Sequence, residues 1–335
     1  MTERQRGEDD PRTRPDLPAG IVVGVADRTI EVERALWEAA LWAARREVDI
    51  TLVTAVRHSH TSRLSSAERW AEQRQRALRR VDGAAHRVAR CTDVSRRIHT
   101  AVVDGSAGDA LVAASESASL IVLQRRELGR VARMAVDSTT ATVSAHASCP
   151  VLVVHAHDQI AVGNGLMVVL DGQLSVQASL GEAFAEAARR GGALTVAVLL
   201  RPAAAYQGGG GSTAWWASVG KEDRLAAWQT RFPQVRVSEV VVDRIDVSTL
   251  LRMASERELV IVARRRRGTT TRHDLGAVVR RLIEEAQCPV LVLPAGPQVE
   301  WHLHASTVQE QRLRQNDLVD AAATYESCGP AAVDE

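Results

Sequence analysis

The chain has 335 residues, 45% hydrophobic and 25% charged, the length and mix of a globular protein of about two domains at ~150 residues each. Its net charge of +1 gives no bulk electrostatic pull toward nucleic acid or an anionic membrane, and no apolar stretch approaches the ~18 residues that span a bilayer. Aromatic residues make up only 3%, so the cores must be built from Ala, Val, Leu and Ile.

Residues 1–19 are charged throughout and lack an apolar run, so they read as a disordered segment and not as a secretory signal. Gly20 opens a short Val-rich strand, GIVVG, and a turn. Val32, Ala35, Leu36, Ala39, Ala40 and Ala43 then fall at i, i+3, i+4, i+7, i+8 and i+11, the single apolar stripe of a helix. DITLVTAV (49–56) is a continuous apolar run, as expected of a strand covered on both faces in a parallel sheet. A polar helix over 65–90, a strand over 96–105, a helix over 108–118 and a strand over 119–124 follow. A last helix precedes Cys149-Pro150 and the strand VLVV.

The plan is then written a second time. After turn residues near 156–165, GLMVVL opens copy two, and Val176, Ser179, Leu180, Ala183, Phe184 and Ala187 repeat the helical spacing of copy one. ALTVAVLL (193–200) is the second strand. A loop with QGGGGS (207–212) follows, with Trp215 and Trp216 read as loop packing, inside a segment whose helix is expected over about 212–232. A strand over 235–243, a helix over 246–257, the strand ELVIVA (258–263), a last helix and Cys288-Pro289-VLVL complete it. Each half is therefore an open βαβαβαβαβ sheet with helices on both faces. The boundaries expected are 20–157 for domain 1 and 165–296 for domain 2, with a tail over 297–335.

Cys91, Cys149, Cys288 and Cys328 are dispersed with no C-x-x-C pair, which points to a reducing cytoplasm rather than to a disulfide framework or a zinc ribbon. Cys149 and Cys288 precede buried strands and are expected to be inert. Three His-x-His pairs, His58/His60, His155/His157 and His302/His304, have no Cys or carboxylate at ligand spacing and are taken as loop histidines, with no metal site. There is no G-x-S-x-G, no intact P-loop and no H-E-x-x-H, and nothing marks a base for Ser115 or Ser117.

The paired endings ASCPVLVV and AQCPVLVL, with IVVGVADR and VVLDGQ at the first strands, resemble the universal stress protein family in its tandem two-domain form, over residues 20–296. The resemblance implies two tandem doubly wound parallel-sheet domains, Rossmann-like and similar to adenine nucleotide α-hydrolases. In ATP-binding members an Asp ends the first strand, and a Gly-x-x-Gly, nine residues, Gly-Ser/Thr loop holds phosphates before the last helix. Glycines allow close backbone approach there, and the helix N-terminus offers N–H groups to an anion.

Counting back from Cys-Pro, copy one holds Gln124, Glu127 and Asp137 at the glycine positions, with Ser138 beside the last. Ala26 stands at the Asp position, with Asp27 adjacent. Asp137 would itself take up the free N–H groups and repel phosphate, so copy one is not expected to bind ATP. Copy two keeps Asp171, followed by Gly172, and holds Ala263, Arg266, Gly276 and Ala277 in the loop. With Leu199 and Val278, these form the candidate nucleotide-binding set. Arg264, Arg265, Arg266 and Arg267, with Arg272 and His273, lie where the phosphate loop would begin. They either gather charge for an anionic ligand or acidic partner or form a solvated loop in a chain whose basic residues are nearly all arginine.

The resulting expectation is a cytoplasmic, non-enzymatic stress protein with eroded nucleotide sites, acting through its surfaces on a protein partner that the sequence does not name. No resident cofactor is expected. The alternative is a nucleotide switch or weak ATPase with ATP in copy two alone. The two Cys-Pro-Val edge strands should pair the halves as a pseudo-dimer, with a further homodimer left open.

Overall fold

The structure, a computed structural model, describes residues 20–26, 32–57, 66–91, 98–125, 138–155, 164–170, 176–199, 221–242, 247–264 and 275–295. Copy one runs β1 (Gly20–Gly24), α1 (Glu33–Arg46), β2 (Asp49–Val56), α2 (Ser66–Cys91), β3 (Ile98–Asp104), α3 (Ala107–Ala114), β4 (Leu120–Arg125), α4 (Ser138–His146) and β5 (Val151–His155). Copy two runs β6 (Leu166–Leu170), α5 (Val176–Arg190), β7 (Ala193–Leu199), α6 (Lys221–Arg231), β8 (Arg236–Val242), α7 (Val247–Ala254), β9 (Leu259–Ala263), α8 (Ala277–Glu285) and β10 (Val290–Leu293).

The strands form one ten-stranded sheet in the order β3-β2-β1-β4-β5-β10-β9-β6-β7-β8. Within each copy every pairing is parallel. At the centre β5 and β10 run antiparallel, with Val153 opposite Val290, Leu152 opposite Leu291 and Val151 opposite Val292. The two Cys-Pro-Val strands thus meet, and neither apolar edge is left open. The outermost strands, β3 and β8, are half exposed.

One core lies under α1, α2, α5 and α6, the other under α3, α4, α7 and α8, and each runs across both copies. The helical stripes land as the spacing requires: Val32 to Ala43 and Val176 to Ala187 are all buried at their stripe positions. Copy two adds a small aromatic stack, Phe184 against Trp228 at 5.8 Å and Phe232 at 5.9 Å. Gly165, at φ +73, opens β6 where a Cβ would stand 2.5 Å from the Ala193 carbonyl oxygen, so only glycine fits.

Two expected helices are shorter than their apolar runs suggested. α3 ends at Ala114 because the Ser115 hydroxyl turns back to the Val112 carbonyl at 2.5 Å and accepts the Ser148 N–H at 2.8 Å. This engages Ser115 structurally. α7 ends at Ala254, where Ser255 bonds back to the Arg252 carbonyl. The Gly-rich loop with Trp215 and Trp216, His58 and His60, and the segments 1–19 and 297–335 lie outside the described residues. Among the described residues no helix is long and apolar enough to cross a membrane.

Candidate functional site

In each copy the chain leaves the sheet to opposite faces from two neighbouring strands. β1 feeds α1 on one face while β4 leads to α4 on the other. β6 and β9 do the same with α5 and α8. The crevice beyond the carboxyl ends of such a strand pair is where open α/β sheets receive ligands.

In copy one a buried side chain spans from β4 to α1 at this crevice. Gln124, at the position of the first loop glycine, is 8% exposed. Its side-chain Oε1 accepts the backbone N–H of Ala35 at 3.0 Å. Ala35 lies in the first turn of α1, whose N-cap residue Val32 supplies no side-chain cap. Gln124 thus reaches across the crevice to satisfy a helix N-terminal donor that would otherwise be free. Glu127, Asp137 and Asp27 lie outside the described residues.

In copy two the equivalent position is Ala263, partly buried against the α5-side core and too short to plug anything. Leu170 ends β6 at 4% exposure, directly before Asp171 and Gly172, which lie outside the described residues. Gly276 is the N-cap of α8 at φ 73 and ψ 151 and gives no side-chain cap. That backbone region is essentially reserved for glycine, so this loop position keeps its residue for a conformational reason. Ala277 is exposed. The side chains of Leu199 and Val278 are buried in the core at 0% and 3% exposure.

Of the arginine run, Arg264 lies within the described residues. Arg264 donates from Nη1 to the Ala145 carbonyl and from Nη2 to the Ala147 carbonyl, at 2.8 Å for the latter. Its guanidinium is thus engaged by the chain itself. It ties copy two to the carboxyl end of α4, where the helix dipole favours a cation. The repeat reproduces this contact in reverse: Arg125, which occupies the same place in copy one, donates to the Glu284 carbonyl at the end of α8. His155 adds a bond from Nε2 to the Ile283 carbonyl at 2.8 Å. Arg265, Arg266, Arg267, Arg272, His273 and His157 lie outside the described residues. Replacing Arg264 with Ala is expected to destabilise the chain by about 1.5–3 kcal/mol, the range for hydrogen bonds to a charged group. Urea unfolding monitored by circular dichroism would read this directly.

A second set of residues escaped the sequence reading. Arg46 on α1 pairs with Glu182 at 2.7 Å and Glu186 at 3.2 Å on α5. Glu186 also pairs with Arg189 and Arg190, each at 2.7 Å, and Arg190 reaches Glu258 at 3.6 Å. Trp42 lies beneath the Arg46 guanidinium at 4.3 Å. The signal was visible as AARR, repeated at 43–46 and 187–190, but a helix-terminal Arg-Arg reads as dipole compensation until the partner helix is seen. Cys149 is a free, buried thiol whose pKa burial pushes up to about 12, which leaves it unreactive. Among the described residues no group of three or more His, Cys, Asp or Glu is placed to hold a metal ion.

A model of the universal stress protein family matches residues 20–155 and again 165–294. A universal stress protein of Mycolicibacterium smegmatis is 31% identical over 284 residues, covering 82% of this chain and 96% of the relative. One from Mycobacterium tuberculosis is 28% identical over 295 residues, covering 82% and 95%. Among solved structures, a universal stress protein from Archaeoglobus fulgidus has a TM-score of 0.63 at 14% identity, over 83% of this chain and 96% of that one. This last likeness speaks to the fold alone.

Proposed function

From the universal stress protein family, to which this chain belongs, we propose that it is a non-enzymatic cytoplasmic stress-response protein that works through its surfaces. The observation that carries this reading is Gln124. A side chain buried in the crevice and bonded to Ala35 N holds the place where a ligand would enter copy one. The chain's own residues supply no nucleophile–base pair at either crevice among those described. Copy two has lost two of three loop glycines to Ala263 and Arg266, and its arginine run surrenders Arg264 to the interface. In this reading the partner is a protein.

One observation favours a second reading. Ala263 has no side chain that could span the copy-two crevice as Gln124 does in copy one, and Gly276 retains a glycine-only backbone at the start of α8. A nucleotide would be held there by Asp171 and the first N–H groups of α8, making the chain a regulatory switch or a weak ATPase.

Titration calorimetry of the full chain with Mg-ATP, paired with a phosphate-release assay, separates the two. No saturable heat and no phosphate release are expected. Micromolar binding that disappears with Asp171→Ala would overturn the first reading in favour of the second.

A further inference from the structure

α1 and α5 are repeats of one another, yet they do not carry the same charges. In the shared register of their apolar stripes, Glu38 corresponds to Glu182, Arg45 to Arg189 and Arg46 to Arg190. Trp42, however, corresponds to Glu186. The mismatch sits where the two helices meet. Glu186 is 1% exposed and receives Arg46 from the other copy beside its own Arg189 and Arg190. The Trp42 ring takes up the space under Arg46 and Arg190, at 4.3 and 5.4 Å.

We propose that this difference makes the joining surfaces heterotypic: each half is built to accept the other half and to reject a second copy of itself. The charge balance shows why. Copy one brings Arg34, Arg45, Arg46 and Glu38 to the cluster, three cations and one anion. Copy two brings Arg189, Arg190, Glu182, Glu186 and Glu258, two cations and three anions. Joined as observed, they give five arginines against four carboxylates. Two copy-one surfaces would bury six against two, and two copy-two surfaces four against six. The ion-paired side chains of the cluster are at most 16% exposed. Unbalanced charge there is far more costly than on a wet surface. Specificity by repelling the wrong partner follows. The β5–β10 strand pairing cannot supply this selection, because VLVV and VLVL are nearly the same surface.

The test starts from the whole folded chain and retains all of its residues. A site-specific protease site is placed within residues 156–163, the folded protein is cut, and both halves are unfolded together in urea and refolded by dilution. Native mass spectrometry then counts the pairs. Random pairing would give copy-one, mixed and copy-two pairs at one to two to one. The expected result is mixed pairs, with each homotypic species at least about tenfold below that proportion. Homotypic pairs at the random proportion, or single halves that do not associate, would overturn the proposal. Trp42→Glu gives copy one the carboxylate of copy two and is expected to raise copy-one homotypic pairs. The unsubstituted chain decides the matter even where this variant does not fold.

Discussion

Glu186→Gln is expected to lower the stability of the folded chain by about 3–5 kcal/mol, the range for breaking a buried ion pair from one side. The neutral amide keeps the shape but leaves Arg46, Arg189 and Arg190 without the carboxylate that all three share. The effect depends on pH with a definite sign. Burial by itself would raise the pKa of Glu186. The guanidinium groups of Arg189, Arg190, Arg46 and Arg45 outweigh it and hold the carboxyl well below its ordinary value. A carboxyl whose folded pKa lies below its unfolded one, about 4.3, contributes stability above the unfolded value. That contribution is lost as pH falls through the folded value. Urea unfolding of the parent chain and of Glu186→Gln should therefore differ most at neutral pH and converge in acid. Parallel curves across that range would mean that the carboxylate is not what holds the arginines.

This cluster also marks how far the residues alone can be read. The sheets, their order of elements and the buried stripes were legible because each depends on a local period that only one face can satisfy. Val32 to Ala43 can bury a stripe in just one way. The pairing of β5 with β10 was legible from two uncovered apolar edges. Charges are different, since a side chain such as Arg46 does not announce its partner, and Glu182 lies far along the chain. The arginine run meets the same limit. Four identical residues look like one feature, but the first still belongs to the end of β9 and is aimed by that strand at the carbonyls closing α4. Counting back from Cys149-Pro150 puts Gln124 at the first loop-glycine position. Its action as a plug appeared only once α1 was seen to start beside it. At Gly276 the reverse holds: the surviving glycine is explained by its backbone angle, which fits either an intact or an emptied phosphate loop.

The largest effect is expected where the halves join. Val290 and Val292 are 0% and 1% exposed, opposite Val153 and Val151 on β5 and beside Val260 and Val262 on β9. Changing both to Asp places two carboxylates in an apolar core. None of these four strand neighbours can accept or donate a side-chain hydrogen bond, so each unpaired charge costs several kcal/mol. Together they approach the roughly 5–15 kcal/mol that holds an ordinary protein folded. The double variant is expected to lose the shared sheet, with the halves separated or unfolded. Small-angle scattering should show a larger radius of gyration, and the cooperative melting transition should disappear. The natural control puts the same two charges at the far edge of the same sheet, as Val240→Asp and Val241→Asp, where the side chains are 36% and 47% exposed. There each aspartate stays in water, and the cost should remain near the ~0.5 kcal/mol typical of surface changes. Both pairs of substitutions carry equal charge and equal loss of β propensity. A large difference between them therefore measures burial at the β5–β10 seam, and an equal response would mean that the seam is not where the two halves hold each other.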